Sequence, residues 1–205
     1  MIDNLIKRYP LLNDIKEEIE TATKILFDCY KNGGKILLMG NGGSACDCEH
    51  IAGELLKGFM SKRKMPNSDA SALKQSVDNA DYFVNNLQRG IPAISLPSQS
   101  GIISAFCNDV EPDLVYAQLV YAYKGENDVV VGLSTSGNSK NVVNAFKLAK
   151  AFNLKTIAFT GEKACALDEL STISIKAPET ETYKVQEYHL AIYHAICAEL
   201  EKMAF

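Results

Sequence analysis

The sequence predicts an α/β fold in which a parallel β-sheet is covered by helices on both faces. Three observations carry this reading. Short, unbroken apolar runs alternate with longer segments whose apolar residues recur every three to four positions. Two loops rich in glycine and hydroxyl side chains each follow an apolar run and precede a helical segment. The 205 residues, 47% apolar and without an apolar run of membrane-spanning length, give room for one sizeable domain.

The elements follow in order. Residues 11–31 read as a helix, with Leu11, Leu12, Ile15, Ile19, Ala22, Ile25, Leu26 and Cys29 at helical spacing, stopped by Asn32-Gly33-Gly34. Residues 35–39 (KILLM) form a buried-type strand, and a helix opens at Ser44 and runs to about residue 57. Residues 93–96 are a second strand, 100–107 a helix, and 128–133 (DVVVGL) a third strand. A helix over 139–152 is marked by Val142, Val143, Ala145, Phe146, Leu148 and Ala149. Strands at 155–159 and 171–176 and a long helix over 182–203 complete the chain. Residues 60–92 break the rhythm. They are polar, carry one basic cluster and a short helix within 69–87, and are long for a strand connection, so a lid or an interface element is expected there.

Composition narrows the function. The net charge of −4 argues against a broad nucleic-acid-binding face, so no direct nucleic-acid partner is expected. The charged N-terminus lacks a signal-peptide core, and no membrane partner is expected, which makes a cytoplasmic location the default. The six scattered cysteines fit reduced, buried thiols better than a disulfide framework.

Both informative loops lie between a strand and a helix: Gly40-Asn41-Gly42-Gly43-Ser44 and Ser134-Thr135-Ser136-Gly137-Asn138-Ser139. Glycines let the backbone approach an anion, hydroxyls add donors, and the following helix offers unpaired N–H groups. Its charge–dipole part is worth only about 0.3–1 kcal/mol, so selectivity must come from the hydroxyls. Neither loop is followed by Gly-Lys-Ser/Thr or matches GxGxxG, so no nucleotide cofactor is expected. Ser44 and Ser139 read equally well as helix N-caps. STSGNS, however, holds more hydroxyls than one cap uses, which favours a sugar phosphate or a similar anion.

On the helix after the first loop, Cys46, His50 and Glu54 share one face, and on the last helix Gln186, Leu190 and His194 repeat that spacing. If the two helices meet, these residues can move protons between adjacent carbons. His50, Glu54, Gln186 and His194 can alternatively hold a divalent ion such as zinc. Cys46 and Cys48, two apart on a helix, point to different faces, which argues against a thiolate zinc site. Each histidine reads alternatively as a solvated or core residue, and His189, well round the helix from His194, reads as a bystander.

Three motifs in order, GNGGSxxDxxHxxxE at 40–54, STSGNS at 134–139 and QExHxxxxH at 186–194, resemble the bacterial phosphoheptose isomerase family of the sugar isomerase (SIS) superfamily. Asn108-Asp109 resembles the Asn-Asp pair that this family places near the sugar. The resemblance spans most of the chain. It implies a single SIS domain over 1–205, a three-layer αβα sandwich with a five-stranded parallel sheet of flavodoxin-like type, plus the N-terminal helix; the insert at 60–92 is longer than the family norm.

It also implies a homotetramer with active sites at subunit interfaces, a sugar-phosphate substrate, and one zinc ion per subunit in some members. Ser134, Thr135, Ser136 and Ser139 would hold phosphate. Asn41, Gly42, Gly43, Ser44, Asn108, Asp109 and Gln186 would contact the sugar. Glu54 would be the base and His194 its acid partner, and His50, Glu54, Gln186 and His194 the zinc ligands. Several positions depart from the pattern. Lys184 stands for an arginine, Val110-Glu111-Pro112 for aromatic-Gly-aromatic, Ala117-Gln118 for Arg-Gln, and Gln99-Ser100-Gly101 for Asp-x-Ser.

The function implied is isomerisation of sedoheptulose 7-phosphate to D-glycero-D-manno-heptose 7-phosphate through an enediol, in heptose synthesis for lipopolysaccharide or surface glycan. Two alternatives stand beside it: an isomerase of another phosphosugar, and a non-enzymatic SIS adaptor that binds the replication initiator DnaA. An adaptor has no use for a Glu54–His194 pair.

Overall fold

Pro10 divides the N-terminal region. In the computed structural model, which describes residues 1–205, α1 (Ile2–Arg8) ends at Tyr9, a 3-10 turn covers Pro10–Ile15, and α2 (Lys16–Lys31) follows. The single helix expected over 11–31 is corrected accordingly. A proline disfavours helical geometry at the residue before it, and Tyr9 takes φ −131° and ψ 75°. α1 is short, yet it buries Ile2 and Leu5.

The chain then enters β1 (Ile36–Gly40) and α3 (Gly43–Leu56). The insert holds two helices, α4 (Asn67–Ser76) and α5 (Ala80–Asn86), in place of one within 69–87. Asn79, in the left-handed region at φ 62°, separates them. β2 (Ala93–Ser95), α6 (Ser100–Asp109) and α7 (Val115–Tyr123) come next. α7 was not anticipated; its segment VYAQLVYAY is nearly all apolar and shows no clear amphipathic period. β3 (Val129–Leu133), α8 (Lys140–Ala151), β4 (Lys155–Thr160), β5 (Ile173–Lys176) and α9 (Thr182–Ala204) finish the fold, within a few residues of expectation.

All five strands are parallel, in the order β2-β1-β3-β4-β5. This is the flavodoxin-like winding. The alternation of side chains along each strand builds two cores. Ile36 and Leu38 of β1, with Val129 and Val131 of β3, pack with α1, α2, α3 and α9 on one face. Leu37 and Met39, with Val130, pack with α7 and α8 on the other. The strand order reverses between β1 and β3, so the loops leaving these neighbours diverge and open a cleft at the carboxyl ends of the strands. GNGGS leaves β1 there and STSGNS leaves β3.

Candidate active site

The first loop is built on a backbone turn. Gly42, at φ 56°, caps α3, which begins at Gly43 rather than at Ser44. Ser44 therefore falls inside the first turn and is only 3% exposed. The Tyr116 hydroxyl of α7 donates to the Gly40 carbonyl at 2.5 Å and anchors the strand end. Across the cleft, Asn41 and Asn141 exchange reciprocal amide hydrogen bonds of 3.0 and 2.9 Å. The Asn141 side-chain oxygen Oδ1 also accepts from the Val142 N–H at 3.0 Å. Asn141 thus ties the two loops together. Sequence reasoning missed it, although its place in the first turn of the helix after STSGNS was the available signal.

The second loop is braced from behind and open in front. Gly137, at φ 65°, lies so close to Cys165 that a Cβ would stand 2.1 Å from the sulfur. Its carbonyl accepts from the Leu167 N–H, and the Asn138 side chain accepts from the Ala166 N–H. The Ser134 and Ser139 hydroxyls meet at 3.0 Å. Ser139 precedes α8 but makes no side-chain capping bond. The backbone N–H groups of Thr135, Ser136, Ser139 and Lys140 have no acceptor within the chain. Unpaired donors, a ring of hydroxyls and a helix N-terminus together suit an anion such as phosphate.

The third group lies where α3 meets α9. His50 Nε2 is 3.3 Å from Glu54 Oε1 and 3.5 Å from His194 Nε2. The Glu54 side chain is 15% exposed, with Lys57 Nζ at 3.4 Å. Phe59 stacks on the His194 ring at 5.8 Å between centroids. Burial holds the His194 pKa below the usual histidine range and the neighbouring His50 adds to this, while Glu54 pulls the other way. Neutral His194 is therefore favoured at neutral pH. His50 Nδ1 lies 2.9 Å from the Tyr193 hydroxyl, which donates to Asp47 Oδ1 at 3.2 Å. Tyr193 was not singled out from the sequence, although it directly precedes His194, and Asp47 stood there as a letter of the first motif without a role.

The remaining expected residues stand elsewhere. Gln186 sits about 12 Å before His194 along α9, with its amide against Gly43, where a Cβ would lie 2.7 Å from Nε2. The ligand set of His50, Glu54, Gln186 and His194 is thus not gathered around one point in a single chain. No group of three or more His, Cys, Asp or Glu side chains is arranged to hold a metal ion. The donors that do approach one another, two imidazoles and a carboxylate, are of the kind zinc takes. His50 lies 3.3 Å from Glu54 and 3.5 Å from His194, close to the ~3.3 Å between two ligands of a tetrahedral ion with bonds of ~2.0–2.1 Å. Asn108 and Asp109 are exposed at the end of α6, and the Asn108 amide donates only to Asp109. Cys46 is exposed and Cys48 buried, on different faces as expected. His189 is fully buried in the core, against the Thr160 carbonyl at 3.2 Å.

Comparison with known proteins accords with this geometry. SIS domain models match residues 9–87 and 102–201. The phosphoheptose isomerase of Aliarcobacter butzleri is 35% identical over 187 residues, 91% of this chain and 86% of that protein. The chain belongs to the phosphoheptose isomerase family. The Helicobacter pylori phosphoheptose isomerase is 33% identical, covering 98% of this chain and 97% of its own length. The structure of the phosphoheptose isomerase from Neisseria gonorrhoeae superposes with a TM-score of 0.75 at 27% identity, over 98% of this chain and 94% of that one. The protein is accordingly an enzyme, an isomerase of the phosphoheptose isomerase type. No helix is long and apolar enough to cross a membrane.

Proposed function

We propose that this enzyme converts sedoheptulose 7-phosphate to D-glycero-D-manno-heptose 7-phosphate through an enediol, supplying heptose for a surface glycan such as lipopolysaccharide. The observation that carries the reading is the meeting of Glu54 and His194 at His50, from helices far apart in sequence. Glu54 removes a proton from C1 of the ketose and returns it to C2. His194, kept neutral, transfers the accompanying proton between O2 and O1. Ser134, Thr135, Ser136 and Ser139 hold the phosphate, and Asn41, Gly42 and Gly43 border the sugar. If zinc binds, His50, Glu54 and His194 hold it together with Gln186 from a neighbouring copy, and it would polarise the substrate oxygens.

The site is composite. From Gly43, at the cleft, to Glu54 is about 16 Å of helix, longer than an extended seven-carbon phosphate. A sugar anchored in one chain's phosphate loop therefore meets the acid–base pair of another copy, in keeping with a homotetramer. Two experiments test these readings. In D2O, NMR should show deuterium entering carbon 1 of sedoheptulose 7-phosphate as the aldose appears; absence of both in folded, zinc-supplemented protein would defeat the substrate assignment. Coexpressed Glu54→Gln and Ser136→Ala chains should regain activity that neither has alone. Mixed oligomers as inactive as their parents would defeat the composite site.

A further inference from the structure

Asp47, Tyr193 and His50 form a hydrogen-bonded line that the isomerisation scheme does not use. Tyr193 is 1% exposed, its ring meets the His50 ring edge-on at 5.6 Å, and its hydroxyl lies between His50 Nδ1 and Asp47 Oδ1. The direction of the protons follows from counting donors. An ionised aspartate only accepts, so the single proton of the phenol goes to Asp47. A phenol keeps its proton at neutral pH, so the O–H remains. The phenol oxygen can then only accept from His50, which places the imidazole proton on Nδ1.

We propose that Tyr193 and Asp47 are positioning residues that lock His50 in its Nδ1–H form, so that the Nε2 electron pair faces Glu54 and His194. Two consequences follow. Glu54 Oε1 and His50 Nε2, 3.3 Å apart, are then both electron-rich, so the neutral ring offers Glu54 no N–H and the gap between them suits a cation. The His194 nitrogen 3.5 Å from His50 Nε2 must carry its proton on that same atom, since His50 offers none. His194 is thereby held as a donor on the side where the proposed chemistry needs an acid. This last step rests on the proposed isomerase reading, whereas the tautomer of His50 does not. Hydrogen-bonded supports of this kind typically change activity or metal affinity by about 10- to 100-fold when removed.

The test uses the full-length, chelator-treated protein labelled with 15N-histidine. The chain has three histidines, so two-bond 1H–15N spectra are readily assigned with a His50→Gln variant. In the wild type, His50 should show a protonated Nδ1 and an unprotonated Nε2. Tyr193→Phe keeps the buried ring, should leave the urea midpoint nearly unchanged, and should convert His50 to a mixture of tautomers. The same variant should lose kcat toward sedoheptulose 7-phosphate by about tenfold or more with little change in KM. A wild-type His50 protonated at Nε2, or a Tyr193→Phe spectrum identical to wild type, overturns the proposal. The expected spectra with a wild type inactive on this sugar would sustain the tautomer lock and remove the substrate assignment instead.

Discussion

Glu201→Ala should be among the most damaging single substitutions, and its cost can be worked out from its partners. The Glu201 carboxylate accepts from Arg63 Nε at 2.7 Å and from the backbone N–H groups of Phe59, Met60 and Ser61 at 2.8, 2.8 and 3.1 Å. The Arg63 side chain is wholly buried and that of Glu201 is 4% exposed. The other guanidinium nitrogens donate to the Leu55 and Glu54 carbonyls, which the end of α3 leaves without helical partners. Removing Glu201 strands a buried cation, which costs about 3–5 kcal/mol. The Met60 and Ser61 N–H groups belong to exposed residues and can turn to water, so they add little. Urea denaturation monitored by circular dichroism measures the loss. Arg63→Met in the same chain should recover part of it, because the stranded charge is gone, giving a coupling of about 0.5–3 kcal/mol. A loss below about 1 kcal/mol, or strictly additive single effects, would refute the reasoning. The clasp also has a pH signature. Burial pushes the Glu201 carboxyl up, but the Phe59 N–H, Arg63 and the Met60 N–H outweigh it and hold the pKa below the usual glutamate range. The folded value is depressed, so the stabilisation is present above the usual range and is lost as pH falls through the folded one.

Other outcomes follow from the same geometry. Glu54→Gln should lower kcat by about 10²–10⁴-fold while sugar-phosphate binding, followed by calorimetry, stays largely intact; undiminished turnover would end its role as base. Metal-replete protein should carry roughly one zinc per chain by mass spectrometry, and His50→Ala should lose it; a metal-free wild type would leave proton transfer alone as the task of this cluster. Burial lowers the His189 pKa to about 4, against an ordinary 6.5, while its bond to the Thr160 carbonyl opposes the shift weakly. The unfolded state therefore binds the extra proton between these values, so stability falls as pH drops from 6.5 toward 4, by about 3 kcal/mol in total. His189→Leu should flatten that part of the pH–stability curve, and an unchanged slope would refute the assignment.

What was legible in the sequence were the features with a local signature. Strands such as Ile36–Gly40 and Val129–Leu133 are short apolar runs, and α8 shows a clean helical period, so the sheet and most covering helices were expected. The two loops announced themselves by composition. α7 has no polar face to mark its period, and α1 is a single short amphipathic turn pair before a proline, so both were missed. In the site, the spacing of His50 and Glu54 fixed their shared face. Only the fold could bring His194 to them, because that contact spans 144 positions of chain. Asn141 and Tyr193 were missed, and Asp47 was given no role, for the same reason: each acts through a partner that is distant in sequence.

The residues left unassembled in the single chain share a location. Asn108 and Asp109 end α6, a helix that buries no residue despite the segment SGIISAFC. Ile102, Val110 and Leu114, on α6 and just beyond it, are 40%, 66% and 42% exposed. α4 buries nothing, and on α5 Tyr82 is 62% exposed. Apolar side chains of this size gain about 1.5–3 kcal/mol each when covered, so α6 and the insert have strong reason to pack against something beyond their own chain. The positions that depart from the family pattern, Gln99-Ser100-Gly101, Val110-Glu111-Pro112 and the 60–92 insert, fall on or beside these same elements. The STSGNS loop and the Glu54–His194 pair lie on the covered scaffold and match the pattern. On the composite-site proposal, substrate selection is concentrated on the surface that a second copy would complete. Exchanging residues 110–112 for aromatic-Gly-aromatic should accordingly alter KM and subunit association together while leaving the His50 tautomer untouched. A change in KM with association unaltered would separate sugar recognition from assembly and count against the composite site.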